Sequence, residues 1–304
     1  MGKLVDGKWV TSSVITSDDS GAYNRVPRSF LGTIQEEGSI FKPEVGRYHL
    51  YVSYACPWAH RTLIFRKLKE LEDIISVSVV HPDMLDDGWV FNSDFPEATI
   101  DHLFSYDFLR EVYQLSDSNI STTVTVPILF DKKTKQIVNN ESSEIIRIFN
   151  SSFNGITGNT DDYYPEEYRN EIDEINNFIY HKINNGVYKT GFSKNQFNYE
   201  ENANDLFEAL NRINLRLTNN DFLVGSQMTE ADIRLIPTLI RFDPVYYIHF
   251  KCSKKLIREF DNISRYLKRM ISLESISETT NMDHIKRHYY FSHKELNPSG
   301  IIPL

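Results

Sequence analysis

The chain has 304 residues, 40% of them apolar and 25% charged, an ordinary soluble composition with length enough for two domains, each with its own core. A net charge of −9 argues against nucleic acid or an anionic membrane as a partner, since either would repel it. No stretch of 18 apolar residues offers a membrane span, residues 1–6 lack an apolar signal core, and Asp6 breaks the myristoylation pattern.

Residues 1–45 read as an irregular N-terminal extension, rich in polar and turn-forming residues. From residue 46 the pattern becomes strand, helix, strand. The first strand runs to Ser53, and the helix starts at Pro57 with Leu63, Ile64, Leu68 and Leu71 at helical spacing. Ile74 to Val80 forms the second strand. A long insertion over about 82–122 carries Gly88-Trp89-Val90-Phe91 and a short helix near 106–115. Thr125 to Phe130 and Gln136 to Val138 read as two further strands around a turn at Asp131-Lys132-Lys133, and a helix opens at Glu141-Ser142. The order βαβ then ββα over 46–150 is that of a thioredoxin-like α/β domain.

Residues 151–165 continue a Gly/Asn/Asp-rich stretch that reads as a linker, and 166–304 read as an all-helical domain with an extended C-terminal tail. Thr229-Glu230-Ala231-Asp232 has capping-box spacing ahead of an apolar helix, and Pro237 within that helix implies a kink or a freed backbone group.

Between the first strand and helix lies Tyr54-Ala55-Cys56-Pro57-Trp58-Ala59-His60-Arg61. Cys56 falls where unpaired N–H groups and the positive end of the helix dipole favour an anion, and so a nucleophilic thiolate. A redox dithiol needs Cys-x-x-Cys, but the fourth position is Ala59, so a resolving thiol must come from another molecule. His60 and Arg61 suit a supporting role as well as packing, and Cys252 reads as a structural core residue. Two cysteines give no disulfide framework, so a reducing cytoplasm is expected and the Asn-x-Ser sequons are coincidences. His284, His288 and His293 have a spacing that suggests metal binding, but no carboxylate or cysteine completes a site; no metal is expected.

Cys56-Pro57-Trp58-Ala59-His60-Arg61, the Thr125-Val126-Pro127-Ile128-Leu129 run and Glu141-Ser142-Ser143-Glu144 together resemble the cysteine-type glutathione transferases. With Gly186-Val187-Tyr188-Lys189, Arg241-Phe242-Asp243-Pro244-Val245-Tyr246 and His288-Tyr289, the sequence is most similar to the glutathionyl-hydroquinone reductases, the xi class, related to the omega class. The resemblance covers nearly the whole chain. It implies a glutathione transferase fold, with glutathione as co-substrate and Trp89, Val126, Pro127, Glu141 and Ser142 in its site. A cis peptide before Pro127 would turn the Val126 backbone groups outward, where a short extended peptide pairs as an added strand. The N-terminus opened by Glu141 and Ser142 suits a carboxylate, and Glu141 an ammonium group. The resemblance also places an arginine four residues before that proline, where this chain has Thr123.

The same resemblance makes Cys56 the nucleophile and Tyr188, Tyr246 and Tyr289 the catalytic hydroxyls that hold a glutathionylated hydroquinone. The expected enzyme is a homodimer that releases hydroquinone through a Cys56–glutathione mixed disulfide. An omega-like thiol transferase or dehydroascorbate reductase would use the same thiolate on another acceptor. A non-catalytic binding module of this fold is the remaining alternative, although such modules usually lack the nucleophile.

Overall fold

A computed structural model describes residues 2–11 and 29–304. The central sheet has strand order β4-β3-β5-β6, built from β3 (Tyr48–Val52), β4 (Ile75–Val79), β5 (Ile128–Asp131) and β6 (Gln136–Asn139). β3 runs parallel to β4, with Leu50 opposite Val77, and antiparallel to β5, with Leu50 opposite Leu129. The parallel pair needs a crossover, which α1 (Pro57–Leu68) supplies. α2 (Leu109–Ser116) lies in the insertion, and α3 (Ser142–Ser151) comes after β6. This is the thioredoxin-like half. All of β3 is buried, as its unbroken Tyr-His-Leu-Tyr-Val run requires. A bidentate pair, Arg47 Nε and Nη2 on Asp131 at 2.8 and 2.7 Å, ties the start of β3 to the end of β5.

Two expectations are corrected. β5 begins at Ile128 rather than Thr125, because Pro127 has no N–H to give a ladder. The N-terminal extension is not irregular throughout: β1 (Gly2–Val5) and β2 (Lys8–Thr11) form a hairpin. Asp6 and Gly7 turn it with φ of 48° and 70°, the conformation of a two-residue primed turn. A Cβ on Gly7 would lie 1.9 Å from the Ser118 carbonyl oxygen, so only glycine fits. Four-residue strands give almost no alternation to read, and a two-stranded hairpin needs something to pack on. The insertion supplies it: Leu4 and Thr122 exchange backbone hydrogen bonds at 2.9 and 3.0 Å, and Leu4 is buried.

The second half is helical, with principal helices Arg169–Ile179, Gln196–Arg216, Glu230–Arg241 and Asp261–Ile271. The stretch that reads as a linker is pinned, since the buried Lys69 ammonium donates to the Asn159 and Asp161 carbonyls at 3.0 and 2.5 Å. The Thr229–Asp232 capping box forms as its spacing predicts. Asp232 is buried and its carboxylate accepts from the Thr229 and Leu223 N–H groups and from the Tyr266 hydroxyl, at 2.9, 3.0 and 2.8 Å. Replacing Asp232 with Ala removes the cap and strands three buried donors. A loss of about 3 kcal/mol is expected, read as a lower urea midpoint at unchanged slope.

Candidate functional site

Cys56 occupies the N-cap of α1 in extended backbone (φ −78°, ψ 120°), and Pro57 takes the first helical position. The Cys56 N–H donates to the Ser53 carbonyl at 3.1 Å and its own carbonyl receives the His60 N–H at 3.0 Å, closing the first turn. The thiol is partly exposed and lies 3.7 Å from the Val126 carbonyl oxygen. The Val126–Pro127 peptide bond is cis. Cys252 lies in the helical core, where burial pushes its thiol far up, as suits a packing residue.

Glu141 is the N-cap of α3, and its carboxylate accepts from the Ser143 N–H and hydroxyl, each at 3.0 Å. Ser142 is buried beside it. A cleft of about 510 Å³ opens at Glu141 and Ser143 and has Tyr180, His181 and Arg234 on its helical-domain wall. Thr123 is partly buried, between Thr122, which pairs with the N-terminal hairpin, and Val124 in the core. Trp89 is buried with its ring stacked on His288, centroids 4.9 Å apart at 22°.

The tyrosines expected from distant segments meet. Tyr289 lies at the centre, with its hydroxyl 2.6 Å from that of Tyr188 and 3.0 Å from that of Tyr246. Burial pushes all three hydroxyls up from their ordinary value, so they are neutral phenols at physiological pH. A charge on Cys56 adds to the rise at Tyr188 and Tyr246, which puts the thiol within electrostatic reach of both. Three π-helical turns aim these residues: Tyr180–Asn184 just before Tyr188, Phe242–Tyr246 ending on Tyr246, and His288–Ser292 containing Tyr289. Each extra residue rotates the downstream side chains by about 100° relative to an unbroken α-helix. Periodicity in the sequence gives no warning of them.

The sequence gives no role to Arg241 and leaves that of His60 open. The Arg241 guanidinium is fully buried and donates to the carbonyls of Ala55, Tyr54 and Pro237, each at 2.9 Å, and to His60 Nδ1 at 3.1 Å. With Nδ1 accepting, His60 Nε2–H donates to Thr279 Oγ1 at 3.1 Å. Burial, then the Arg241 charge, holds the ring well below its ordinary value, hence neutral. His60 is therefore a link between α1 and the helical domain.

The insertion and the C-terminal segment close over one another. Arg287 forms a bidentate pair with Asp83 at 2.7 and 2.8 Å, and the Met84 N–H donates to Ser292 Oγ at 3.0 Å. His288 Nδ1–H donates to the Pro82 carbonyl at 2.8 Å, while His249 Nε2 and His293 Nδ1 share a hydrogen bond at 3.1 Å. Of the three histidines that suggest metal spacing in the sequence, His288 and His293 make these hydrogen bonds, and His284 Nε2–H donates to the Pro96 carbonyl at 2.6 Å.

The N-terminal domain model of glutathione S-transferases matches residues 55–152, and the C-terminal domain model of the same family matches 196–269. The glutathionyl-hydroquinone reductase YqjG of Escherichia coli is 48% identical, with 100% of this chain and 95% of that protein aligned. This chain belongs to the xi class of the glutathione transferase family. The glutathionyl-hydroquinone reductase PcpF of Sphingobium chlorophenolicum is 45% identical over 100% of this chain and 96% of that protein. The glutathione-bound structure of YqjG superimposes with a TM-score of 0.91 at 46% identity, covering 100% of this chain and 95% of that one. The xi glutathione transferase of Phanerochaete chrysosporium gives a TM-score of 0.93 at 47% identity, over 95% and 94% of the two chains.

The histidines beneath this xi-class site give the fold an acid limit. Burial lowers His249 and His288 from 6.5 to about 4, and His49 in the sheet to about 3. Below pH 6.5 the unfolded chain takes up protons that the folded one refuses, so stability is complete above 6.5 and falls as pH drops toward 4. Each histidine removes about 1.4 kcal/mol per pH unit across that window. Thermal midpoints measured from pH 7.5 to pH 4.5 should therefore decline steeply below about pH 6.5, and His249→Gln should flatten the decline.

Proposed function

We propose that the protein is a glutathionyl-hydroquinone reductase. The Cys56 thiolate attacks the sulfur of a glutathionyl-hydroquinone, forming a Cys56–glutathione disulfide while the sulfur–aryl bond breaks. The electron pair stays on the aromatic carbon, which takes up a proton and leaves as hydroquinone. The thiolate of a second glutathione then attacks the glutathione sulfur of that disulfide, so that oxidised glutathione departs and Cys56 returns as thiolate. The two glutathione sulfurs are oxidised and the aryl carbon is reduced. Because the fourth position of the motif is Ala59, the second glutathione is the resolving thiol.

The observation that supports this reading most is the cluster of three neutral, mutually hydrogen-bonded phenols, two of which lie within electrostatic reach of the helix-capping thiol. A phenol held in the protonated form both donates to a hydroquinone oxygen and holds the proton that the aryl carbon needs. In the same reading Trp89, the Val126 backbone, Pro127, Glu141 and Ser142 hold glutathione, as the glutathione-bound relative encourages. The peptide would pair with Val126 as an added strand, and the α3 N-terminus would receive its γ-glutamyl carboxylate. We assign the enzyme to a reducing compartment, consistent with two free thiols, and to a homodimer. Among the described residues no helix is long and apolar enough to cross a membrane.

The test is glutathionyl-menadiol with and without excess glutathione, following hydroquinone release together with intact mass. The wild type should show a glutathione adduct on Cys56 and release hydroquinone. Cys56→Ser should do neither, and Tyr289→Phe should release it about a hundredfold more slowly. Release that persists in Cys56→Ser sinks the assignment, and dehydroascorbate turnover in place of release promotes the omega-like activity.

A further inference from the structure

The Arg241 guanidinium poses an energetic problem. Taking a cation out of water is costly unless a negative group or a full set of acceptors compensates it. Arg241 is completely buried, yet its hydrogen-bond partners are three carbonyls and a neutral imidazole, and among the described residues no carboxylate forms an ion pair with it. Natural cores seldom keep an arginine in this way for packing alone.

Its position suggests what the charge serves. Two of the carbonyls it holds belong to Tyr54 and Ala55, the residues immediately before the nucleophile. Arg241 also ends the helix Glu230–Arg241 and leads directly into the π-helical turn that carries Tyr246. Its charge opposes the effect of burial at Tyr246 and at Tyr289, favouring negative charge on both. One side chain therefore grips the turn under the thiol and acts on the hydroxyls at the other end of the site.

We propose that Arg241 is a positioning residue of the reaction, whose guanidinium fixes the Tyr54–Ala55 turn beneath Cys56 and supplies a buried positive charge to the thiolate and to the phenols. The buried cation without a counter-ion is then functional. Negative charge arrives with the thiolate, passes toward the departing aromatic ring and returns when the mixed disulfide is resolved, while a charge already in place needs no rearrangement at any stage. The link through His60 to Thr279 keeps α1 and the helical domain in register around it.

The part concerning hydroquinone release rests on the proposed function, whereas the part concerning the thiol does not. Two readouts separate them: alkylation of Cys56 by iodoacetamide at pH 7, followed by intact mass, and steady-state release from glutathionyl-menadiol. Arg241→Lys keeps the charge but has no planar fork to span the carbonyls. It should alkylate within about threefold of wild type and lose about tenfold in kcat at nearly unchanged KM. Arg241→Gln keeps a donor without the charge and should alkylate about tenfold more slowly. Should Arg241→Gln not fold, His60→Asp sets a carboxylate against the guanidinium and neutralises it in place, and should slow alkylation to the same degree. Wild-type alkylation in whichever neutralised variant folds, or wild-type kcat in folded Arg241→Lys, overturns the proposal. If the wild type releases no hydroquinone, the proposed function fails while the alkylation ratios still judge Arg241.

Discussion

Everything at this site depends on the two halves of the fold meeting at one turn of backbone. The turn is Tyr54-Ala55-Cys56, and the grip on it comes from Arg241, some way along the chain and in the other half. A thioredoxin-like unit alone supplies a thiol at a helix N-terminus, which is enough for anion stabilisation. It supplies no wall opposite the thiol. The helical half brings the phenols, and the hydrogen bonds of a buried guanidinium and a neutral histidine set the distance between the two. Hydrogen bonds to carbonyls are directional, so the pairing is more exacting than apolar packing between the same helices would be.

The walls are buried, and that accounts for the protonation states. Burial is the dominant influence on each of the three tyrosines and on His60, His249, His288 and His293, and in every case it favours the neutral form. The site consequently combines neutral donors with a fixed cation. In such surroundings small charge movements have large energetic effects, because little water remains to screen them.

The legible part of the sequence is the local part. Pro57 after Cys56 marks a helix start, Thr229 and Asp232 mark another, and the apolar runs on either side of the Asp131 turn mark a pair of strands; all three signals span a few residues, and all three elements form. The tyrosines emerge by motif, since among 17 tyrosines no spacing singles them out. The illegible part is non-local. Leu4 is buried where Thr122 pairs with it, 118 residues later in the chain by difference of their numbers, and no window includes both. Arg241 stands within a motif that gives it no function, because its partners Tyr54 and Ala55 lie in the other half. The π-helical turns are invisible because a helix with one extra residue keeps nearly the same apolar pattern on either side.

Those turns give the acceptor wall an unusual mode of inheritance. Most pockets drift by substitution, one side chain at a time. Here Tyr188 follows such a turn and Tyr246 ends one, so losing a single codon from either turn restores a plain α-helix and swings that tyrosine about 100° out of the group. Lineages of this enzyme therefore have a route to new aromatic substrates through insertion and deletion, with the thiol and its helix left untouched.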